Sequence, residues 1–126
     1  MKTATIIARV LLGLIFLVFG CNGFLHFLHM PPPTNPLAEQ YFNALAITGY
    51  LSVVFALEIV GGLLLLLGIF VPVGLTILSP IIVNTLLFHA CMAPAGLPLP
   101  IVCALLAIFL IWRHWDSFAP IVRARA

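Results

Sequence analysis

The sequence has 126 residues, 64% of them hydrophobic and only 6% charged, with a mean hydropathy of +1.31 and a formal net charge of +2. So few charges cannot cover a water-soluble globule of this size, and the composition reads as a membrane protein built from spanning helices. The basic residues are scattered, which excludes a nucleic-acid footprint, and no length remains for a soluble catalytic domain.

The first apolar stretch follows Lys2 and Arg9 and runs to about residue 29. A basic start and an apolar core also describe a signal peptide, and Val18-Phe19-Gly20-Cys21 is a weak lipoprotein box. Phe19 fits that box poorly and the core is too long, so the segment is predicted as a transmembrane helix over about 4–29. Asn22, His26 and His29 are spaced by four and three, which lines them on one helical face away from the basic end. Gly20 and Gly23 flank Asn22 and admit a neighbouring helix at that level.

Pro31-Pro32-Pro33 ends this helix. Asn35-Pro36 reads as an N-cap followed by proline in the first turn, opening a short helix closed by Gly49. Leu37, Tyr41, Ala44 and Leu45 form its apolar side, so it is expected on the membrane surface, over the mouth of the bundle.

The second span, about 50–68, carries Glu58 near its midpoint. An ionisable group there costs ~2.5–3.5 kcal/mol on insertion scales and needs polar company from other helices. Gly61 and Gly62 share its face and allow close packing. The link Ile69-Phe70-Val71-Pro72 is short enough only for a hairpin, so the third span, about 73–91, returns antiparallel. Ser79-Pro80 should kink it and free a carbonyl; Asn84 follows on the face of Pro80, and His89 lies near the far end. After a turn rich in breakers, the fourth span covers about 99–116, with Trp112 and Trp115 at headgroup level.

The expected fold is thus an all-α, single-domain bundle of four transmembrane helices with a short surface helix between helices 1 and 2. All five basic residues (Lys2, Arg9, Arg113, Arg123, Arg125) fall on the side of the termini, which the positive-inside rule places in the cytoplasm. Arg9 and Asp116 lie at similar depth there, close enough in register to pair. Cys21, Cys91 and Cys103 form no CxxC pair, which argues against a thioredoxin-type relay; a Cys91–Cys103 disulfide stays open.

Asn22, His26, Glu58, Asn84 and His89 therefore come from three helices and group toward the outer half of the bundle. Histidine with an acidic or amide partner suits a quinone head group or a similar apolar ligand. Axial haem ligation by His26 and His89 ranks behind it, and a metal on His26, His89 and Glu58 ranks last because the carboxylate lies too deep. No residue is assigned a catalytic role, and structural hydrogen bonding between helices remains an alternative for all five.

With these residues placed, the chain resembles the DoxX family of small four-helix bacterial membrane proteins. The stretches that carry the likeness are Arg9-Val10-Leu11-Leu12-Gly13-Leu14-Ile15-Phe16, Asn22-Gly23-Phe24-Leu25-His26-Phe27 and Leu57-Glu58-Ile59-Val60-Gly61-Gly62. Asn84-Thr85-Leu86-Leu87-Phe88-His89 and Ala95-Gly96-Leu97-Pro98 complete a pattern spread over nearly the whole chain. The resemblance implies the bacterial inner membrane and an association with membrane redox complexes. Some members are similar to subunits of a thiosulfate–quinone oxidoreductase, and others are partners of oxidative-stress proteins. The expected role is a redox-associated membrane subunit with a polar intramembrane pocket for a quinone. The alternative is a structural or assembly subunit of a larger membrane complex that holds no ligand.

Overall fold

The computed structural model describes residues 2–28 and 34–123. His29, the proline run and Arg125 lie outside the described residues. Six α-helices follow in order: α1 (Lys2–Leu25), α2 (Pro36–Ile47), α3 (Tyr50–Leu67), α4 (Val71–Met92), α5 (Pro98–Arg113) and α6 (Trp115–Phe118). Short 3₁₀ turns occupy Pro94–Gly96 and Ala119–Val122, and no strand occurs among the described residues.

Three helices, α1, α3 and α4, are long and apolar enough to cross a membrane; α5 adds a fourth if it is counted with Trp115–Val122, from which it is bent by 85°. The chain is an all-helical, multi-pass membrane protein. Its outer faces are clothed in large apolar side chains such as Ile7, Leu67, Leu105 and Ile108, which a bilayer accepts and water would not.

Four long helices close a ring: α1 packs on α3, α3 on α4, α4 on α5, and α5 back on α1, with the α1–α3 pairing the most extensive. Each buries one stripe. On α3 it is Glu58, Gly61, Gly62 and Leu65, a helical repeat of three and four. On α4 it is Val71, Gly74, Leu75, Leu78 and Ile82, and on α5 Pro100, Cys103, Ala107 and Leu110. Leu12, Leu65, Leu75, Leu78 and Leu110 are fully enclosed and form the core.

The close approach of α1 to α3 rests on glycine. A methyl group on Gly13 would come within 2.9 Å of the Gly62 carbonyl, and one on Gly62 within 2.8 Å of the Gly13 carbonyl. Backbone meets backbone there, the small-residue packing that substitutes for a hydrophobic drive between helices in lipid. Arg9 ties the same pair at its end: its guanidinium donates to the Leu65 carbonyl at 2.8 Å and to that of Leu66 at 3.5 Å. These are carbonyls of the last turn of α3, where a cation complements the helix dipole. Arg9 therefore serves α3 and not Asp116.

Two helix ends differ from expectation. The first helix closes at Leu25, so His26 does not continue its face. His26 adopts a left-handed backbone (φ 53°), its amide donates to the Asn22 carbonyl at 2.8 Å, and the Leu28 amide donates to Asn22 Oδ1 at 2.7 Å. This is a helix stop in which histidine takes the place usually given to glycine. At the hairpin, α4 begins at Val71 with Pro72 in its first turn, behind a left-handed Gly68 (φ 74°). Helix α4 continues through Pro80, with the Ser79 hydroxyl donating to the Leu75 carbonyl at 2.6 Å.

The short helix is capped as expected: Asn35 Oδ1 accepts from the Leu37 amide at 2.9 Å, while its Nδ2 donates to the Met92 carbonyl at 3.0 Å and pins α2 to the end of α4. Its inner face is rotated from the predicted one. Ala38 is fully buried, and Tyr41 and Phe42 pack on Phe88 with ring centroids 5.5 and 4.8 Å away, whereas Leu37 points outward. The aromatic contacts to α4, together with the Asn35 tether, set this rotation.

Candidate functional site

Glu58 is the one buried acidic or basic side chain among the described residues, with 8% of its surface exposed. Helix α3 puts it on the inward stripe because Gly61, Gly62 and Leu65 occupy the same face and fit only against α1 and α4. Gly20 of α1 lies opposite: a methyl group on it would sit 3.1 Å from Glu58 Cβ. From α5, the buried Cys103 thiol lies near enough to feel the carboxylate electrostatically. No hydrogen bond from a described residue reaches the Glu58 carboxylate, and its oxygens keep a small accessible surface, since no fully buried side-chain oxygen or nitrogen among the described residues is left without a partner. An acidic group thus stands at the waist of an apolar bundle, unpaired, with glycine on one side and a thiol on another.

The other four sequence candidates have separate surroundings. Asn22 is half-buried and occupied in closing the end of α1. His26 is exposed on the turn that follows. Asn84 is exposed on the outer face of α4, in a shallow groove of about 270 Å³ lined by Tyr41, Leu87, Phe88, Cys91 and Met92. His89 is half-buried; its Nδ1 lies 2.9 Å from the Thr85 carbonyl, and its ring fills the space beside Gly96. Apart from the backbone bond from His26 to Asn22 at the end of α1, none of the five hydrogen-bonds to another. Among the described residues no three His, Cys, Asp or Glu side chains come together at metal-ligating distance. Glu58 stands apart from the other four by its burial.

The sequence offered Cys103 only as a disulfide candidate, yet it is free and buried on the inward stripe of α5. The signal was available in its position: Pro100, Cys103, Ala107 and Leu110 repeat at three and four, and the small residues in that series mark the packed face. Gly13 carries a similar signal, seven residues before Gly20 on one face of α1.

What the arrangement can do chemically follows from its isolation. A carboxyl group without a protein partner can bond to a polar atom of a ligand that reaches it, and can give or take a proton there.

Comparisons with curated proteins and with solved structures give no match to this chain. The DoxX family model matches residues 4–90, which span α1 to within two residues of the end of α4 and leave the following turn and α5 beyond the match. That is well over half of the sequence, and the chain belongs to the DoxX family.

Proposed function

We propose that this chain is an integral-membrane subunit of a redox system in the bacterial inner membrane, associated with a quinone-linked oxidoreductase. In this reading all four long helices cross the bilayer, and both termini face the cytoplasm. The distribution of charge supports that orientation. Arg9 sits at the end of α1 that carries Lys2, and Arg113 Nε donates to Thr5 Oγ1 at 3.0 Å, so basic residues of α1 and α5 share one end of the ring.

The observation that carries the reading is the unpartnered Glu58. An acidic side chain on the inward stripe of a helix apolar enough to cross a membrane is costly, and one whose oxygens stay accessible and take no bond from the chain is by default a ligand or proton site. A quinone matches the surroundings in both respects: its ring and tail are apolar, and its carbonyl oxygens offer polar atoms to meet a carboxyl group. When bound it supplies electron and proton carriage within the bilayer. The residues of this chain would hold it: Glu58 Oε bonds to the head group and exchanges a proton with it. Gly20, packed against Glu58 Cβ, holds α1 against the helix that carries the carboxyl group.

Native mass spectrometry of the protein, taken in mild detergent from its own membranes, tests this. A quinone mass retained by the wild type and lost from Glu58→Gln, with both proteins equally folded, is the expected result. A wild-type protein that carries only protein partners overturns the ligand and leaves the assembly role.

A further inference from the structure

Helix α4 presents a second polar residue that the bundle does not use. Its outer face is a continuous exposed stripe of Val73, Thr76, Pro80, Asn84, Leu87 and Cys91, opposite the buried stripe that packs on α3 and α5. Thr76 satisfies its hydroxyl within its own helix, on the Pro72 carbonyl at 2.8 Å. Asn84 does not: its amide makes no hydrogen bond to any described residue. It lies eight residues before Met92, the end of α4, hence about 12 Å along the helix from that end. At that depth neither water nor headgroups satisfy an amide, and the group needs a partner from another chain.

We propose that the partner is a second copy of this chain, docked through α4 about a two-fold axis along the membrane normal. Two copies with the same orientation must bring their α4 helices together in parallel, so Asn84 meets Asn84 of the partner. An amide carries both a donor and an acceptor, so it is its own complement in such an isologous contact. The spacing fits a parallel seam. Asn84, Leu87 and Cys91 stand at three and four residues, one heptad, and a single asparagine in a heptad seam fixes register and pairing. Tyr41 and Phe88 line the groove together with Asn84, and Phe88 braces the rings of both Tyr41 and Phe42. The inference is independent of any ligand at Glu58.

The geometry sets Cys91 one heptad from Asn84 on an exposed surface, opposite its own counterpart. The test is oxidative cross-linking in membrane vesicles of a protein carrying Cys21→Ser and Cys103→Ala, so that Cys91 is the sole thiol. A disulfide-linked dimer is expected, and Asn84→Leu should lower its yield about threefold to tenfold, as loss of an interhelical amide bond in lipid does, while Asn84→Gln retains most of it. As a control for random collision, Val53→Cys is placed in the same background with Cys91→Ser; it sits near the same end of the bundle on an exposed face of α3 (61% exposed) and should cross-link weakly. Equal yields at the two positions, or a Cys91 dimer indifferent to Asn84→Leu, would overturn the proposal, as would a monomer at every protein-to-lipid ratio.

Discussion

Replacing Glu58 by methionine removes the carboxyl group and keeps the length and the unbranched shape of the side chain. Because Gly20 is packed against Glu58 Cβ, which methionine shares, the crossing of α1 and α3 should survive the change. What disappears is a buried acidic group that no described residue hydrogen-bonds. Burying a polar group without a partner costs roughly 1–3 kcal/mol by mutational data; because the Glu58 oxygens keep some accessible surface, methionine would recover the lower end, about 1 kcal/mol. In a chain of this size that is an upward shift of several degrees in the unfolding midpoint. The assay can use the protein's own reporter, because Cys103 is buried and its thiol becomes reactive when the bundle opens. With Cys21 and Cys91 replaced by serine, a thiol-reactive fluorogenic dye followed during heating in detergent gives the midpoint. The expected outcome is a ligand-free Glu58→Met protein that is more heat-stable than its parent. A lower midpoint would mean that the carboxylate holds the helices together, and the assignment of Glu58 as a site kept at the expense of stability would fall.

Gly62→Ala puts a methyl group 2.8 Å from the Gly13 carbonyl and the Leu17 amide, so α1 must move; a loss of ~1–3 kcal/mol should appear as a lower midpoint in the same dye assay. Arg9→Met removes the bond to the Leu65 carbonyl and the cation at the end of α3; a partly buried charged bond predicts a loss of ~1–3 kcal/mol, with Arg9→Lys intermediate. His26→Gly relieves a left-handed backbone and should leave stability unchanged or raised by up to ~1 kcal/mol, with ligand retention intact by native mass spectrometry. Loss of ligand from that variant would return His26 to the site. Asn22→Ala strips the Leu28 amide of its acceptor at the end of α1, and faster hydrogen exchange at Leu28 should report it.

The parts of the fold that could be read from residues alone are those where chemistry breaks the apolar monotony. Glu58 announced the inward face of α3 because an acidic group has only one tolerable direction, and Gly61 and Gly62 follow it there. Asn35 with Pro36 announced the start of α2 through a capping bond that is present. Direction was illegible where a helix is apolar all round. Helix α4 offers no contrast between core and lipid, so Asn84 looked as eligible for the interior as Glu58, and only the packing of Gly74, Leu75, Leu78 and Ile82 turns it outward. The end of α1 was missed for a different reason. Histidine in a left-handed turn leaves no mark in hydrophobic periodicity, and the Asn22 bond that closes the helix spans six residues. The inner face of α2 was misjudged because Phe88, which lies far along the chain, selects Tyr41 and Phe42 over Leu37.

The glycine crossing of α1 and α3 also bears on how the chain is made. The two helices that fit most closely in space are separated in sequence by α2, so α1 emerges from the ribosome ahead of its partner. Until Gly62 arrives, Gly13 and Gly20 face lipid or the insertion machinery, with no complementary backbone to meet. The Arg9 guanidinium likewise waits for the last turn of α3 before it finds its carbonyls. A nascent chain halted after Ile47 would therefore present an orphan first helix, a natural substrate for membrane quality control, whereas one extended past Gly68 already holds its tightest seam.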